Sequence, residues 1–87
     1  MTKIYIYCLF DTFDEFLGVY SSLKSVHRDA IRYCNKGATK VYMSYENKLS
    51  DPSLVKLRNT FKGKCNIQVT YRTDYASVKI YKTKITD

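Results

Sequence analysis

The sequence predicts a two-layer α+β domain in which about five short, mostly antiparallel strands carry both helices on one face of the sheet. Segments that alternate with a two-residue period are interspersed with two segments of helical period, in the order β-β-α-β-α-β-β. A length of 87 residues suits one domain with one modest core. We therefore expect a single domain over residues 1–87.

The first half of the chain contains a predicted hairpin followed by a helix. KIYIYCLF at 3–10 alternates in β-favouring side chains, DTFDEF supplies an acidic turn, and FLGVYS at 16–21 is the returning strand. Ser21 or Ser22 is a suitable N-cap for the helix, and Gly37 suits its C-terminal end. The apolar stripe of this helix is predicted to consist of Leu23, Val26, Ala30, Ile31 and Cys34.

The second half contains a strand, a second helix and a second hairpin. KVYMSY at 40–45 is the strand, and a loop follows it. Ser50 or Asp51 is the expected N-cap of the second helix, which Gly63 ends. NIQVTYR and SVKIYKTK then alternate on either side of the polar turn TDYA, which is typical of a hairpin.

The alternation divides the strand side chains into two faces. We expect an apolar face against the helices: Ile4, Ile6, Cys8, Phe10, Val41, Met43, Ile67, Val69, Val78 and Ile80. The open face is then Lys3, Tyr5, Tyr7, Lys40, Tyr42, Ser44, Gln68, Thr70, Arg72, Lys79, Tyr81 and Thr83. Rings among cations suit single-stranded nucleic acid, because bases stack on the rings and cations hold phosphates. A protein or self-association interface, and solvated tyrosines that merely fit a pleated surface, are the alternatives.

The charge of the chain points to an anionic partner. The formal net charge is +7, and the isoelectric point is near 9.4. Lys24, Arg28, Arg32 and Lys36 recur every fourth residue of the first predicted helix, a spacing at which like charges repel. A second cluster comprises Lys56, Arg58, Lys62 and Lys64. A solvated helix normally mixes both signs, and Asp29 is the one acid within this row, so the pattern weakens the case for a merely solvated face and indicates contact with phosphates or with an acidic protein.

The sequence favours no catalytic, metal or membrane function. His27 is the single imidazole, and the motifs of phosphate-binding loops and of serine hydrolases are missing. Cys8, Cys34 and Cys65 are odd in number and widely spaced, which favours reduced packing residues over disulfides or a zinc site. We expect no cofactor, no metal and no membrane association. The start lacks a signal-peptide pattern and later runs are too short to span a bilayer, so the expected location is the cytoplasm.

The stretch GVYSSLKSVHRDAI at 18–31 places a strand ending in Gly-Val-Tyr-Ser-Ser directly before a helix. Over residues 3–36 this arrangement resembles small early-gene proteins of tailed bacteriophages. The resemblance implies a protein that binds and redirects or inhibits host factors in the host cytoplasm. Within that group, the chain is similar in kind to T-even phage inhibitors of endoribonuclease toxins, which are short, basic and associated with RNA.

Our leading hypothesis is a non-enzymatic accessory protein that binds RNA, or with less support DNA, and counters a host nuclease or toxin. Stacking is assigned to Tyr5, Tyr7, Tyr42 and Tyr81, and phosphate contact to Lys3, Lys40, Arg72 and Lys79. Lys24, Arg28, Arg32 and Lys36 form a second contact surface. The alternative is an inhibitor whose basic helices dock on an acidic host protein and which forms a homodimer through the tyrosine-rich face. A small enzyme of unknown type is a third possibility.

Overall fold

A computed structural model describes residues 3–35, 37 and 40–86, and for Lys3 and Thr86 it describes the backbone. The described residues form six strands and two helices, so the expected two-layer α+β class is confirmed with one strand more than predicted. The elements are β1 (Lys3–Phe10), β2 (Phe16–Tyr20), α1 (Leu23–Cys34), β3 (Tyr42–Tyr45), β4 (Lys48–Ser50), α2 (Leu54–Phe61), β5 (Ile67–Arg72) and β6 (Ser77–Thr86).

The strands form one antiparallel sheet in the order β2-β1-β6-β5-β3-β4. The first and last strands are therefore neighbours inside the sheet, and they pair from Lys3 opposite Thr86 to Phe10 opposite Lys79. β2 pairs with β1 from Tyr7 onward, and β5 pairs with β6 up to Lys82. Beyond those points β1 and β6 continue as a two-stranded ribbon.

Both helices pack on the same face of this sheet and enclose one core with it. Each helix contributes apolar residues at helical spacing, as the sequence predicts. The buried set is Leu9, Val26, Ala30, Cys34, Met43, Leu57, Phe61, Val69, Tyr71, Val78 and Ile80. Partly buried Leu23, Ile31, Val41 and Ile67 pack against it, which also agrees with the predicted stripe and face.

Each helix begins at a serine cap. Ser22 Oγ accepts a hydrogen bond from Ser25 N at 3.4 Å, which confirms one of the two expected caps of α1. For α2 the expected cap was wrong: Ser53 Oγ accepts from Lys56 N at 3.3 Å. Ser50 is unsuited to that position because it belongs to β4 and pairs with Met43. Gly63, with φ +69°, follows the end of α2 as expected.

The sixth strand, β4, lies in a segment that the sequence predicts as a loop. Glu46 and Asn47 have φ values of 51° and 65°, and two consecutive positive values are typical of the tight turn between hairpin strands. They join β3 to β4, with Tyr45 opposite Lys48. β4 is three residues long and forms an edge of the sheet.

Candidate nucleic-acid interface

α1 presents a row of cations to solvent. Lys24, Arg28 and Arg32 are exposed and recur every fourth residue. Successive members therefore lie ~6 Å apart along the helix axis, which is comparable with the spacing of phosphates along a nucleic-acid strand. Lys36, the fourth member of the predicted row, lies outside the described residues.

Cations of α2 and of the turn that follows it extend this surface. Lys56, Arg58, Lys62 and Lys64 are all exposed, and α1 and α2 pack side by side on the sheet. Lys64 Nζ lies 5.4 Å from the centroid of the Tyr45 ring, a cation–π contact that leaves its charge near the surface. We call the exposed cations of both helices and of the turn after α2 the basic helix layer: Lys24, Arg28, Arg32, Lys56, Arg58, Lys62 and Lys64.

One carboxylate contacts the basic helix layer within the described part of the chain. Asp29 Oδ2 accepts a hydrogen bond from Tyr20 Oη at 2.8 Å, and Asp29 Oδ1 accepts one from Arg28 Nε at 3.1 Å. These two bonds lower the pKa of Asp29, so it stays ionised and neutralises Arg28. Burial and the bond to Asp29 raise the pKa of Tyr20 to about 12.

The other six cations of the basic helix layer have no carboxylate oxygen within 4.0 Å among the residues that the structure describes. A surface that is merely solvated normally intersperses acids with bases. The layer therefore keeps a positive potential that suits phosphate groups.

The open face of the sheet, opposite the helices, has a polar half formed by β5, β3 and part of β6. Tyr42, Arg72, Lys79 and Tyr81 lie there as expected, and Tyr42 is directly opposite Arg72. Gln68 and Thr70 share this half, which is the usual composition of a solvated sheet face.

Two cations predicted for this face are engaged with carboxylates. Lys79 forms an ion pair with Asp14 of the β1–β2 turn. Lys40 Nζ lies 3.4 Å from Asp51 Oδ1 and 5.1 Å from the centroid of the Tyr42 ring. Arg72 is exposed without a carboxylate within 4.0 Å in the described residues. The polar half thus offers fewer available charges than the sequence predicts.

The placement of Tyr5 and Tyr7 on the open face was wrong. Tyr7 packs on the helix side, where its ring stacks on Phe61 with centroids 5.9 Å apart. Tyr5 lies on the same side, with its ring 4.7 Å from Lys82 Nζ. Strand pairing explains the reversal, because Leu9 lies opposite Ile80 in the core and β1 alternates from there. Lys3 pairs with Thr86 through its backbone, and its side chain lies outside the described part.

The reversal of β1 moves an apolar set of side chains onto the open face. Ile4, Ile6, Cys8 and Phe10 point away from the helices, contrary to the expected core. Phe10 packs edge-to-face on Phe16 of β2, with centroids 5.7 Å apart. We call this surface the apolar patch: Ile4, Ile6, Cys8, Phe10, Phe16, Val19 and Ile85. Sequence reasoning missed it, although both alternating sets of β1 are apolar.

Burial alters the pKa values of two side chains of α1, His27 and Cys34. His27 Nδ1 is 2.6 Å from Tyr71 Oη, and burial lowers the pKa of this imidazole. Burial raises the pKa of the Cys34 thiol to about 11, which makes it a poor nucleophile.

Asp11 Oδ1 accepts hydrogen bonds from Phe13 N and Glu15 N, so it stabilises the acidic turn. The described residues hold no group of three or more His, Cys, Asp or Glu side chains suited to a metal ion.

Comparisons with known proteins give no match: no family model, no curated protein and no solved structure matches this chain. Neither α1 nor α2, the helices of the described chain, has the length and apolar character needed to cross a bilayer. The chemistry of the surfaces therefore carries the functional argument.

Proposed function

We propose that this protein binds nucleic acid, RNA in preference to DNA, through phosphate contacts of the basic helix layer. The observation that carries the proposal is the set of seven exposed cations on the two packed helices and the turn after α2, of which Arg28 alone has a carboxylate partner in the described part of the chain. Such contacts bind the backbone and read little sequence. RNA is favoured over DNA because the small phage proteins that the chain resembles are associated with RNA.

By binding RNA phosphates in this way, a phage-type protein competes with host proteins that bind the same RNA. A host nuclease or RNA-binding toxin needs the same phosphates, so a basic protein at sufficient concentration competes for its substrate. We extend the proposal to this role, in line with the resemblance to phage proteins that counter host toxins. No catalytic group is required for it.

A matched pair of arginine substitutions tests the assignment to the helix layer. Arg32→Gln on α1 and Arg72→Gln on the open face each remove one exposed guanidinium. Losing one phosphate contact weakens binding by ~5-fold near 0.1 M salt and makes the salt slope shallower by ~0.7 for a single strand. We expect this for Arg32→Gln and little change for Arg72→Gln. The measurement is fluorescence anisotropy of a labelled RNA 20-mer between 50 and 200 mM NaCl.

The same titration separates the possible anionic partners. Single-stranded DNA and duplex DNA of the same sequence test the preference for RNA. Polyglutamate as competitor tests the alternative, in which the helices dock on an acidic protein. Equal loss of RNA binding in both arginine variants, or displacement of RNA by polyglutamate at equal charge concentration, would contradict the proposal.

A further inference from the structure

The apolar patch is unusual for a solvated sheet face. Antiparallel sheets that cover a core on one side normally present polar side chains on the other. β5 follows that rule with Gln68, Thr70 and Arg72, whereas β1 is apolar on both sides. Phe16 and Val19 are each 55% exposed, and Ile4 and Ile85 lie opposite each other nearby. A sheet with two apolar faces is the usual middle layer of a three-layer structure.

We propose that a second copy of this chain covers the apolar patch, so that two sheets pack face to face in a symmetric homodimer. The charge distribution of the chain is compatible with this occupant. A chain of net charge +7 repels its own copy unless the contact surface carries little charge. The patch carries none, and the cation at its border, Lys79, is paired with Asp14. In a two-fold symmetric contact the same patch is used by both chains, so each apolar patch is covered by another apolar patch.

The other candidate partners, nucleic acid and acidic proteins, are better suited to the charged surfaces of the molecule than to the apolar patch. Nucleic acid and acidic proteins are attracted to cations, and the basic helix layer lies on the opposite side of the sheet. Ile, Val and Phe side chains offer no group that binds a phosphate or a carboxylate. The dimer therefore leaves both helix layers outward and accessible.

The size of the open face meets the lower limit for a stable dimer. Six strands spaced by ~4.8 Å and ~20 Å long give a face with a footprint of ~600 Å². Two such faces together cover ~1,200 Å², where specific interfaces begin. The patch alone is about half of this, so it forms the apolar centre and the neighbouring polar half forms the rim. We expect a dimer that dissociates on dilution.

Two valine-to-lysine variants test the proposal. Val19 lies on the patch and Val55 on α2, and they are 55% and 59% exposed. We expect nuclease-treated wild-type protein at ~100 μM to show twice the 10.2 kDa mass of one chain by light scattering after size exclusion. Val19→Lys should weaken the dimer at least ~10-fold and give the one-chain mass, because each charge is buried without a partner. Val55→Lys should stay dimeric.

Salt provides a second readout that is independent of RNA binding. Higher salt screens repulsion between the two basic chains and leaves apolar contact intact, so the dimer should strengthen between 50 and 300 mM NaCl. Far-UV circular dichroism checks that Val19→Lys is folded, and Ile85→Lys replaces it if it is not. A one-chain mass for the wild type up to ~100 μM, or equal dissociation of the Val19 and Val55 variants, overturns the proposal.

Discussion

His27 of α1 and Tyr71 of β5 form a hydrogen-bonded pair between the helix and the sheet. The distance from Nδ1 to Oη is 2.6 Å, and the two rings meet edge-to-face with centroids 5.5 Å apart. Burial raises the pKa of the Tyr71 hydroxyl, which therefore stays protonated, and burial lowers the pKa of His27. A protonated hydroxyl can donate to Nδ1 of a neutral imidazole, so the pair is satisfied in the uncharged state. The single histidine of the chain thus has a structural role.

This pair predicts a pH dependence of stability. The unfolded imidazole titrates near 6.5 and the native one below it, so in between the unfolded chain binds more protons. The free energy of unfolding should be highest above pH 6.5 and fall as the pH drops from 6.5 to the native pKa, by at most ~1.4 kcal/mol per pH unit. Urea unfolding at several pH values measures it.

His27→Asn is the control for that pH series, because it removes the one histidine side chain. The variant should lose the slope below pH 6.5 whatever its overall stability. An unchanged slope in the variant would assign the effect to another group.

At the scale of elements, Lys82 fastens the C-terminal end of α2 to the centre of the sheet. It is 8% exposed, and its Nζ donates to the carbonyl oxygen of Phe61, the last residue of α2, at 2.8 Å. A cation at this end of a helix interacts favourably with the helix dipole. The ring of Tyr5 covers the same ammonium group. Tyr5 therefore contributes to holding the C-terminal end of α2 against the sheet.

Lys82→Met should destabilise the protein more than Lys84→Met. Both lysines lie on the helix side of β6, but Lys84 is exposed. The first change removes a charged donor and a cation–π contact, so we expect a loss of ~1–2 kcal/mol of unfolding free energy. The second should stay within ~0.5 kcal/mol. Urea unfolding of the two variants checks this, and equal losses would contradict the anchoring role.

Periodicity predicts where the elements lie better than which side of a strand is buried. In β5 and in the first half of β6, up to Ile80, one alternating set is polar, so the buried face there follows from the sequence alone. In β1 both Ile4-Ile6-Cys8-Phe10 and Tyr5-Tyr7-Leu9 favour burial, and pairing with β6 decides between them. β4 was missed because it has three residues, and the turn at Glu46 and Asn47 lacks the glycine that usually marks such hairpins.

At the scale of the whole molecule, the excess of positive charge favours binding of an anionic partner but can lower the stability of the fold. Lys24 lies in the first turn of α1, which contains no acid, where a cation is unfavourable for the helix dipole and repels Arg28. Arg32 lies in the last turn, where the dipole favours a cation. The two residues belong to one surface but differ in their effect on the fold.

Lys24→Gln should therefore stabilise the protein while it weakens RNA binding. We expect a gain of ~0.5 kcal/mol in unfolding free energy and a ~5-fold loss of affinity near 0.1 M salt. Arg32→Gln should lose affinity to a similar degree without any gain in stability. Thermal unfolding and anisotropy titrations on the same samples give both values. A loss of stability in Lys24→Gln would show that this lysine has a structural partner.

The three cysteines occupy three different environments of this fold. Cys34, the last residue of α1, is fully buried in the core, Cys8 lies within the apolar patch, and Cys65 lies in the loop before β5. Exposed thiols react with alkylating reagents far faster than enclosed ones. The labelling rate of each thiol with iodoacetamide, followed over time by mass spectrometry, therefore reports on a different part of the molecule. The rate at Cys65 reports the accessibility of the loop, and the rate at Cys8 should fall if the patch becomes covered as the protein concentration rises. The rate at Cys34 reports transient opening of the core.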